Sequence, residues 1–282
     1  MTTVAGLLAE AKRQLQDSDS PGLDAELLLC HVLGKPRSFL FTWPEQEVDE
    51  LRRSQFHQLL ARRVSGEPVA HLLGRREFYG HEFLVSADTL IPRPDTELLV
   101  DVVLEKLPAE QSLRIADLGT GTGAIAISLG LARPAWQLLA VDYIVAVLDL
   151  VERNVRRLRA TNVTPLQSSW YSRLQGPFDA IVSNPPYIRA DDVHLKRGDV
   201  RFEPRSALVS GEDGLEDIRL IIAGAPARLR AGSLLALEHG YDQGAAVREL
   251  LMNAGFHSVE TRRDYGDNER VTFGFYGAGD AQ

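Results

Sequence analysis

The chain has 282 residues, enough for two domains each with a core of its own. It is 44% hydrophobic and 25% charged, the profile of an ordinary globular protein, with no apolar run of membrane-spanning length and no charged-then-apolar leader. A formal net charge of −8 argues against a broad basic face for long nucleic acid, and a single cysteine excludes a disulfide framework and fits a reducing cytoplasm.

Residues 1 to about 73 read as consecutive short helices. Leu7, Leu8, Ala11 and Leu15 share one helical face; Leu23, Leu27, Leu28 and Val32 form a second, closed by Gly34 and Pro36. A further helix is expected from about Pro44, with Glu45, Glu47, Asp49 and Glu50 in its first turns. With eight basic against ten acidic residues, this segment carries no nucleic-acid footprint and reads as a docking or accessory module. Cys30, within Leu27-Leu28-Leu29-Cys30, reads as a core thiol; His31, His57 and His71 lack metal-ligand spacing and read as structural.

Residues 74–92 read as a linker, with Phe78 to Val85 forming a β-hairpin between two domains. Ile91-Pro92-Arg93-Pro94-Asp95-Thr96-Glu97 then opens a helix carrying Leu98, Leu99, Val102 and Val103 on one side. Helix-start chemistry accounts for the prolines and acids but leaves Arg93 without a role.

From Ser112 strands and helices alternate, so residues 93–282 are expected to form a mostly parallel sheet covered on both faces. The expected strands are 112–118, 137–142, 164–168, 178–184, 233–239, 258–264 and 270–276. The last two are joined by a loop too short for a crossover helix and must run antiparallel.

Asp117-Leu118-Gly119-Thr120-Gly121-Thr122-Gly123 links the first strand to a helix. Its glycines let a ligand approach the backbone, and the helix N-terminus offers unpaired N–H groups. The second strand ends at Asp142, the spacing of an acid that holds ribose hydroxyls. Gly119, Gly121 and Ala124 also satisfy the dinucleotide pattern, so the loop alone leaves a nicotinamide cofactor open beside S-adenosylmethionine. Asp117 and Gly123 favour the latter.

Asn184-Pro185-Pro186-Tyr187, at the end of the fourth strand, favours it further. Prolines fix their own φ and carry no N–H, leaving carbonyls to accept; the Asn184 side chain adds another acceptor, and Tyr187 an aromatic face. Such a set suits a planar –NH2 group whose nitrogen must meet an electrophile, although a rigid turn explains most Pro-Pro pairs. With strand order 3-2-1-4-5, the glycine loop and Asn184 meet at the topological switch point. Asn184 and Pro185 are assigned to catalysis on this ground. No Ser/His/Asp or metal mechanism is assigned: His194 and His239 read as loop and strand-end residues.

These segments, with Asp199-Val200-Arg201-Phe202-Glu203-Pro204 and Asp264-Tyr265-Gly266-Asp267-Asn268-Glu269-Arg270, resemble the PrmC/HemK methyltransferases over nearly the whole chain, to about Tyr276. The resemblance implies a Rossmann-like methyltransferase fold with a small N-terminal helical bundle for substrate docking. It implies methyl transfer from S-adenosylmethionine to the side-chain amide nitrogen, N5, of the glutamine in the Gly-Gly-Gln motif of class I peptide chain release factors. Gly119, Thr120, Gly121, Thr122, Gly123, Asp142 and Asn184 are then expected to hold the cofactor and Trp170 to pack near its adenine. Asn184, Pro185, Pro186 and Tyr187 are expected to bind the glutamine. Ser169 stands where the family often has an acid, and Tyr143-Ile144-Val145-Ala146 replaces its usual polar helix start. Arg201 and Glu203 are candidates either for substrate contacts or for an internal ion pair. A cytoplasmic monomer with no membrane contact and no stable nucleic-acid binding is expected. The alternative is a nucleic-acid amino-methyltransferase, which has use for the same amine clamp but lacks a basic recognition domain here.

Overall fold

A computed structural model describes residues 2–196 and 198–277; residues 278–282, counted above with the second domain, lie outside the described residues. The chain forms two compact units, residues 1–75 with 193–202, and residues 76–192 with 203–282.

The helical unit contains α1 (Val4–Gln14), α2 (Pro21–Leu33), α3 (Arg37–Thr42), α4 (Glu50–Val64) and α5 (Val69–Leu73). Thr3 caps α1 by accepting from the Gly6 N–H, and Val4, Leu7, Leu8, Ala11 and Leu15 are buried as the periodicity requires. On α2 the buried face is instead Asp24, Ala25, Leu28 and Leu29, and Leu23 is 42% exposed. The leucines of this helix permit either face; Asp24 decides between them. Its carboxylate accepts from Ser18 Oγ (2.7 Å), Ser20 Oγ (3.0 Å) and Arg63 Nε (2.7 Å), so the charge is buried with its partners already in place. Cys30 is half-buried at the edge of this core rather than inside it, and burial pushes its thiol pKa up.

Helix α4 starts at Glu50, not near Pro44. Val4 N–H donates to Gln46 O (3.0 Å), Ala5 N–H to Pro44 O (2.9 Å) and Val48 N–H to Thr2 O (3.0 Å), so residues 44–48 spend their backbone groups on the chain's first residues. Asp49 then caps the helix by accepting from the Arg52 N–H (3.0 Å). Residues 193–202 join this unit because Arg63, buried on Asp24, also grips Asp199 at 2.8 Å, while Arg201 Nη2 donates to Ser65 O at 3.2 Å. A Cβ on Gly66 would lie 1.7 Å from Arg201 Nη2, so this seat requires glycine.

The second unit opens with a hairpin of β1 (Arg75–Phe78) and β2 (His81–Leu84), turned by Tyr79 and Gly80, both at positive φ. From Arg76 onward the hairpin falls within this unit. Phe78 and Phe83 enter the sheet's core, and Leu84 exchanges two hydrogen bonds with the Asn154 side chain (2.8 and 3.0 Å). There follow α6 (Glu97–Lys106), β3 (Arg114–Leu118), α7 (Ala124–Ala132), β4 (Gln137–Asp142), α8 (Val145–Leu158), β5 (Val163–Gln167), β6 (Phe178–Ser183), α9 (Glu216–Gly224), β7 (Leu229–Glu238), α10 (Gly244–Asn253), β8 (Phe256–Arg263) and β9 (Glu269–Tyr276). The seven-stranded sheet has the order β5-β4-β3-β6-β7-β9-β8. Five strands are parallel, and β9 runs antiparallel to both β7 and β8. Alternating strand residues feed two cores: Ile115, Leu138, Ala180 and Leu234 meet α6, α7 and α8, while Ala116, Val141, Ile181 and Leu235 meet α9 and α10. This is a Rossmann-like methyltransferase fold.

Candidate active site

Strands β3, β4 and β6 lie side by side in parallel, so Asp117, Asp142 and Asn184 come to one edge of the sheet, where the strand order reverses. A cleft of about 340 Å³ opens there, within the size range of small-molecule sites. Gly119, Thr120, Gly121, Thr122, Asp142, Trp170, Asn184 and Pro186 line it; Gly123, Pro185 and Tyr187 do not.

Gly119, Gly121 and Gly123 all have positive φ, as a loop bending away from a strand into a helix requires. Gly123 serves packing: a Cβ there would meet Ile127 Cδ1 at 3.0 Å and Val151 Cγ1 at 3.1 Å. The loop is braced from below by Asp117, whose Oδ2 accepts from Thr120 Oγ1 (2.6 Å) and the Ala126 N–H (3.2 Å). Asp142 braces it from the next strand: Oδ2 accepts from the Gly121 N–H (3.3 Å) and Oδ1 from the Ile144 N–H (3.1 Å). Burial raises the Asp142 pKa, opposed by these backbone donors. Tyr143, Ile144 and Val147 line the neighbouring wall, so the departure after Asp142 gives this side of the cleft an apolar surface. Trp170 adopts φ 45°, with its carbonyl accepting from Ser168 Oγ (3.0 Å), and its ring would lie 3.4 Å from a Cβ on Gly119. Ser169 is exposed beside it on the cleft.

The Asp117 carboxyl is completely enclosed and its Oδ1 has no partner; burial pushes its pKa up to about 7 against the two donors on Oδ2. The unfolded chain releases this proton in the ordinary carboxylate range, whereas the folded chain holds it to about 7. The folded state therefore binds more protons between those values, and this group's contribution to stability falls as pH rises through that window. Asp117→Asn removes the dependence. Chemical denaturation of the ligand-free variant is expected to show a stability relative to the parent that grows from about pH 4 to about pH 7, by on the order of a few kcal/mol. A pH-independent difference would contradict the assignment.

At the end of β6, Asn184 Nδ2 donates to Thr96 Oγ1 at 3.1 Å, while Asn184 Oδ1 is buried without a partner. An enclosed acceptor of this kind costs free energy unless a ligand supplies the donor. Tyr187 faces away from the cleft lining: its hydroxyl donates to Glu238 Oε1 (3.1 Å) and its carbonyl accepts from Gln243 Nε2 (3.0 Å). Arg93 lines the cleft and is ion-paired with Glu203, a fully buried carboxylate that also accepts from the Ile91 N–H at 3.1 Å. Glu203 thus pairs with Arg93, while Arg201 belongs to the helical unit. Thr96 and Glu238 escaped the sequence reading. Thr96 lay inside a stretch that helix-start chemistry explained, and Glu238 was one more acid at a strand end.

Residues 6–74 match the PrmC N-terminal domain, and residues 95–200 match the methyltransferase small domain. The chain is 54% identical over 275 residues to the release factor glutamine methyltransferase of Pseudomonas aeruginosa (strain ATCC 15692), spanning 97% of this chain and 99% of that protein. It is 52% identical over 270 residues to the release factor glutamine methyltransferase of Escherichia coli (strain K12), spanning 95% and 97%. The crystal structure of a methyltransferase from Pyrococcus furiosus shares the fold, with a TM-score of 0.55 at 18% identity over 77% of this chain and 98% of that one. With half its residues identical to these enzymes over nearly its full length, the chain belongs to the release factor glutamine methyltransferase family.

Proposed function

We propose that this protein transfers a methyl group from S-adenosylmethionine to the side-chain amide nitrogen, N5, of the glutamine in the Gly-Gly-Gln motif of peptide chain release factors. The observation that carries this reading is Asn184 Oδ1, a buried acceptor left unsatisfied on the cleft that the glycine loop and Asp142 also line. Bound S-adenosylmethionine supplies an electrophilic methyl group.

The chain's own residues do the rest by holding and orienting. Gly119 to Thr122 present backbone at the cleft, and Asp142 keeps acceptor capacity for ribose hydroxyls beyond its two backbone donors. Trp170 offers a face for the adenine. A primary amide nitrogen is a weak nucleophile because its lone pair is delocalised into the carbonyl. Asn184 Oδ1 accepts from its –NH2 group, which concentrates electron density on nitrogen and sets its direction of attack. Holding that nitrogen toward the bound cofactor's methyl group would supply most of the catalysis by orientation. The alkylated nitrogen is more acidic and sheds its proton without a dedicated strong base. The reading has no role for a basic face, and the protein is expected to act on its protein substrate as a cytoplasmic monomer.

Mass spectrometry of release factor incubated with this protein and methyl-labelled S-adenosylmethionine tests the reading. One methyl on the Gly-Gly-Gln glutamine is expected, with no label in DNA or RNA treated in parallel. Label in nucleic acid alone would overturn it. Asp142→Ala is expected to weaken S-adenosylmethionine binding by about 1.5–3 kcal/mol, the range for hydrogen bonds to a charged group. Calorimetry giving unchanged affinity in a folded variant would remove Asp142 from the cofactor site.

A further inference from the structure

The loop that carries Asn184 is gripped from α10 by a residue with no part in the chemistry above. Gln243 caps that helix and is buried, and its side chain reaches back to the loop. Nε2 donates to the Tyr187 carbonyl at 3.0 Å and to the Gly214 carbonyl at 3.3 Å, while Oε1 accepts from the Gly240 N–H at 2.8 Å. The donor end faces two acceptors and the acceptor end faces a donor, so a single placement of the amide satisfies all three partners. The seat is close-packed. Gly214 has φ 77°, and a Cβ there would run into the Tyr187 carbonyl and lie 2.7 Å from Gln243 Nε2.

The turn that carries Gln243 is itself fixed. The Gly240 carbonyl accepts from the Gln243 N–H at 3.0 Å and from His239 Nδ1 at 2.8 Å. A carbonyl only accepts, so Nδ1 carries the proton, and the other ring nitrogen lies 2.7 Å from Thr272 Oγ1 on β9. Gln243 thus extends its amide from the sheet's own framework.

Asn184 and Pro186 line the cleft between Ser183, the last residue of β6, and Tyr187. Pro185 and Pro186 carry no N–H and fix their own φ, so this segment is stiff and its placement is set at its ends. At the β6 end, Ser183 Oγ donates to Leu118 O at 2.6 Å. At the other end the Tyr187 hydroxyl, on Glu238, holds the ring, and Gln243 holds the carbonyl. With both held, the backbone cannot roll about the ring.

We infer that Gln243 is a positioning residue for the methyl transfer, holding the Tyr187 carbonyl and so fixing where Asn184 and Pro186 meet the substrate amide. The inference rests on the proposed transfer to a glutamine amide.

Steady-state methylation of intact release factor and calorimetry with S-adenosylmethionine, on the full-length protein, test it, with circular dichroism scaling each rate to folded protein. Gln243→Met fills a similar volume without the donor. It is expected to lower kcat at least about tenfold, with cofactor affinity within about twofold and KM for release factor within about threefold. Gln243→Glu keeps the acceptor for the Gly240 N–H but turns a second acceptor onto the two carbonyls, so it is expected to lose rate as well. Its rate relative to the parent is expected to rise as pH falls, because a protonated carboxyl regains a donor for the Tyr187 carbonyl. Tyr187, His239, Asp242, Arg248 and Glu269 surround this turn in both proteins and cancel in the ratio. Adding Gln243→Met to Asn184→Ala is expected to cost no more than about a further twofold, since the group being positioned is already gone.

Full additivity in that cycle, a parallel loss of cofactor affinity, or a normal rate in Gln243→Met would overturn the inference. If Gln243→Met does not fold, a pH-independent ratio in Gln243→Glu does so. A parent protein that labels no glutamine would overturn the proposed function and this inference together. A parent that labels glutamine beside a Gln243→Met variant of equal rate overturns the inference alone.

Discussion

Asn184→Ala is expected to reduce turnover on release factor at least about a hundredfold while leaving S-adenosylmethionine affinity nearly unchanged. The side chain offers the cleft one acceptor, Oδ1, and anchors itself through Nδ2 on Thr96. Removing both takes an acceptor from the reacting amide and the direction from its nitrogen, an effect felt in the transition state more than in binding. The walls proposed to hold the cofactor, the glycine loop and Asp142, do not depend on it, because Asp142 and Asp117 brace that loop from β4 and β3. Asn184→Asp separates the two functions of the residue. It keeps an acceptor on the cleft but replaces the donor to Thr96 with a second acceptor, so it is expected to fall between the parent and the alanine variant. Near-normal turnover by Asn184→Ala with intact release factor would remove the amine clamp from the mechanism.

A chain beginning at Arg76 is expected to bind S-adenosylmethionine within about threefold of the full protein and to methylate release factor at least about tenfold less efficiently. One glutamine side chain presents too little surface to select a whole protein, so remote contacts must supply discrimination. Residues 1–73 are proposed to provide them. The two halves have separate cores: Val4 to Leu72 form one, and the sheet's two clusters draw only on residues from Phe78 onward. Cofactor binding therefore keeps its framework after truncation. Residues 193–202 lose their seat, because Arg63 and Ser65, which hold Asp199 and Arg201, are removed with the helices. Circular dichroism and calorimetry establish that the shortened chain is folded and binds cofactor before rates are compared. A Gly-Gly-Gln peptide, which lacks the remote contacts, is expected to be a poor substrate for both chains. Equal rates for the two on intact release factor would assign the helices another task.

Much of the fold was legible because its signals are local. The alternation of Ile115, Ala116 and Leu118, or of Leu234 to Leu237, records a strand buried on both faces. The short loop after Arg263 dictates an antiparallel pair whatever surrounds it, and Asp264 closes that loop by accepting from the Gly266 and Asn268 N–H groups. The glycine loop and Asn184 were visible for the same reason: each obeys a rule of spacing along the chain.

The misread features depend on partners distant in sequence. Five leucines in 21–33 allow two faces for α2, and Asp24 chose one only because Arg63, 39 residues on, reaches its carboxylate. Residues 44–48 carry helix-start acids but pair with the chain's first residues. Arg201 and Glu203, two apart in sequence, went to different units because Gly66 offers one a seat and Arg93 offers the other a partner. By itself, the sequence determined the strand set, the glycine loop, Asp142 and the Asn-Pro-Pro-Tyr segment, since periodicity and turn chemistry are written in neighbouring residues. Only the tertiary structure decided that Thr96 holds the Asn184 amide, that Tyr187 turns to Glu238, and that Glu203 lies under Arg93. The physical reason is that hydrogen bonds and buried charges are satisfied by whichever group the fold brings within about 3 Å, and sequence separation places no limit on that choice.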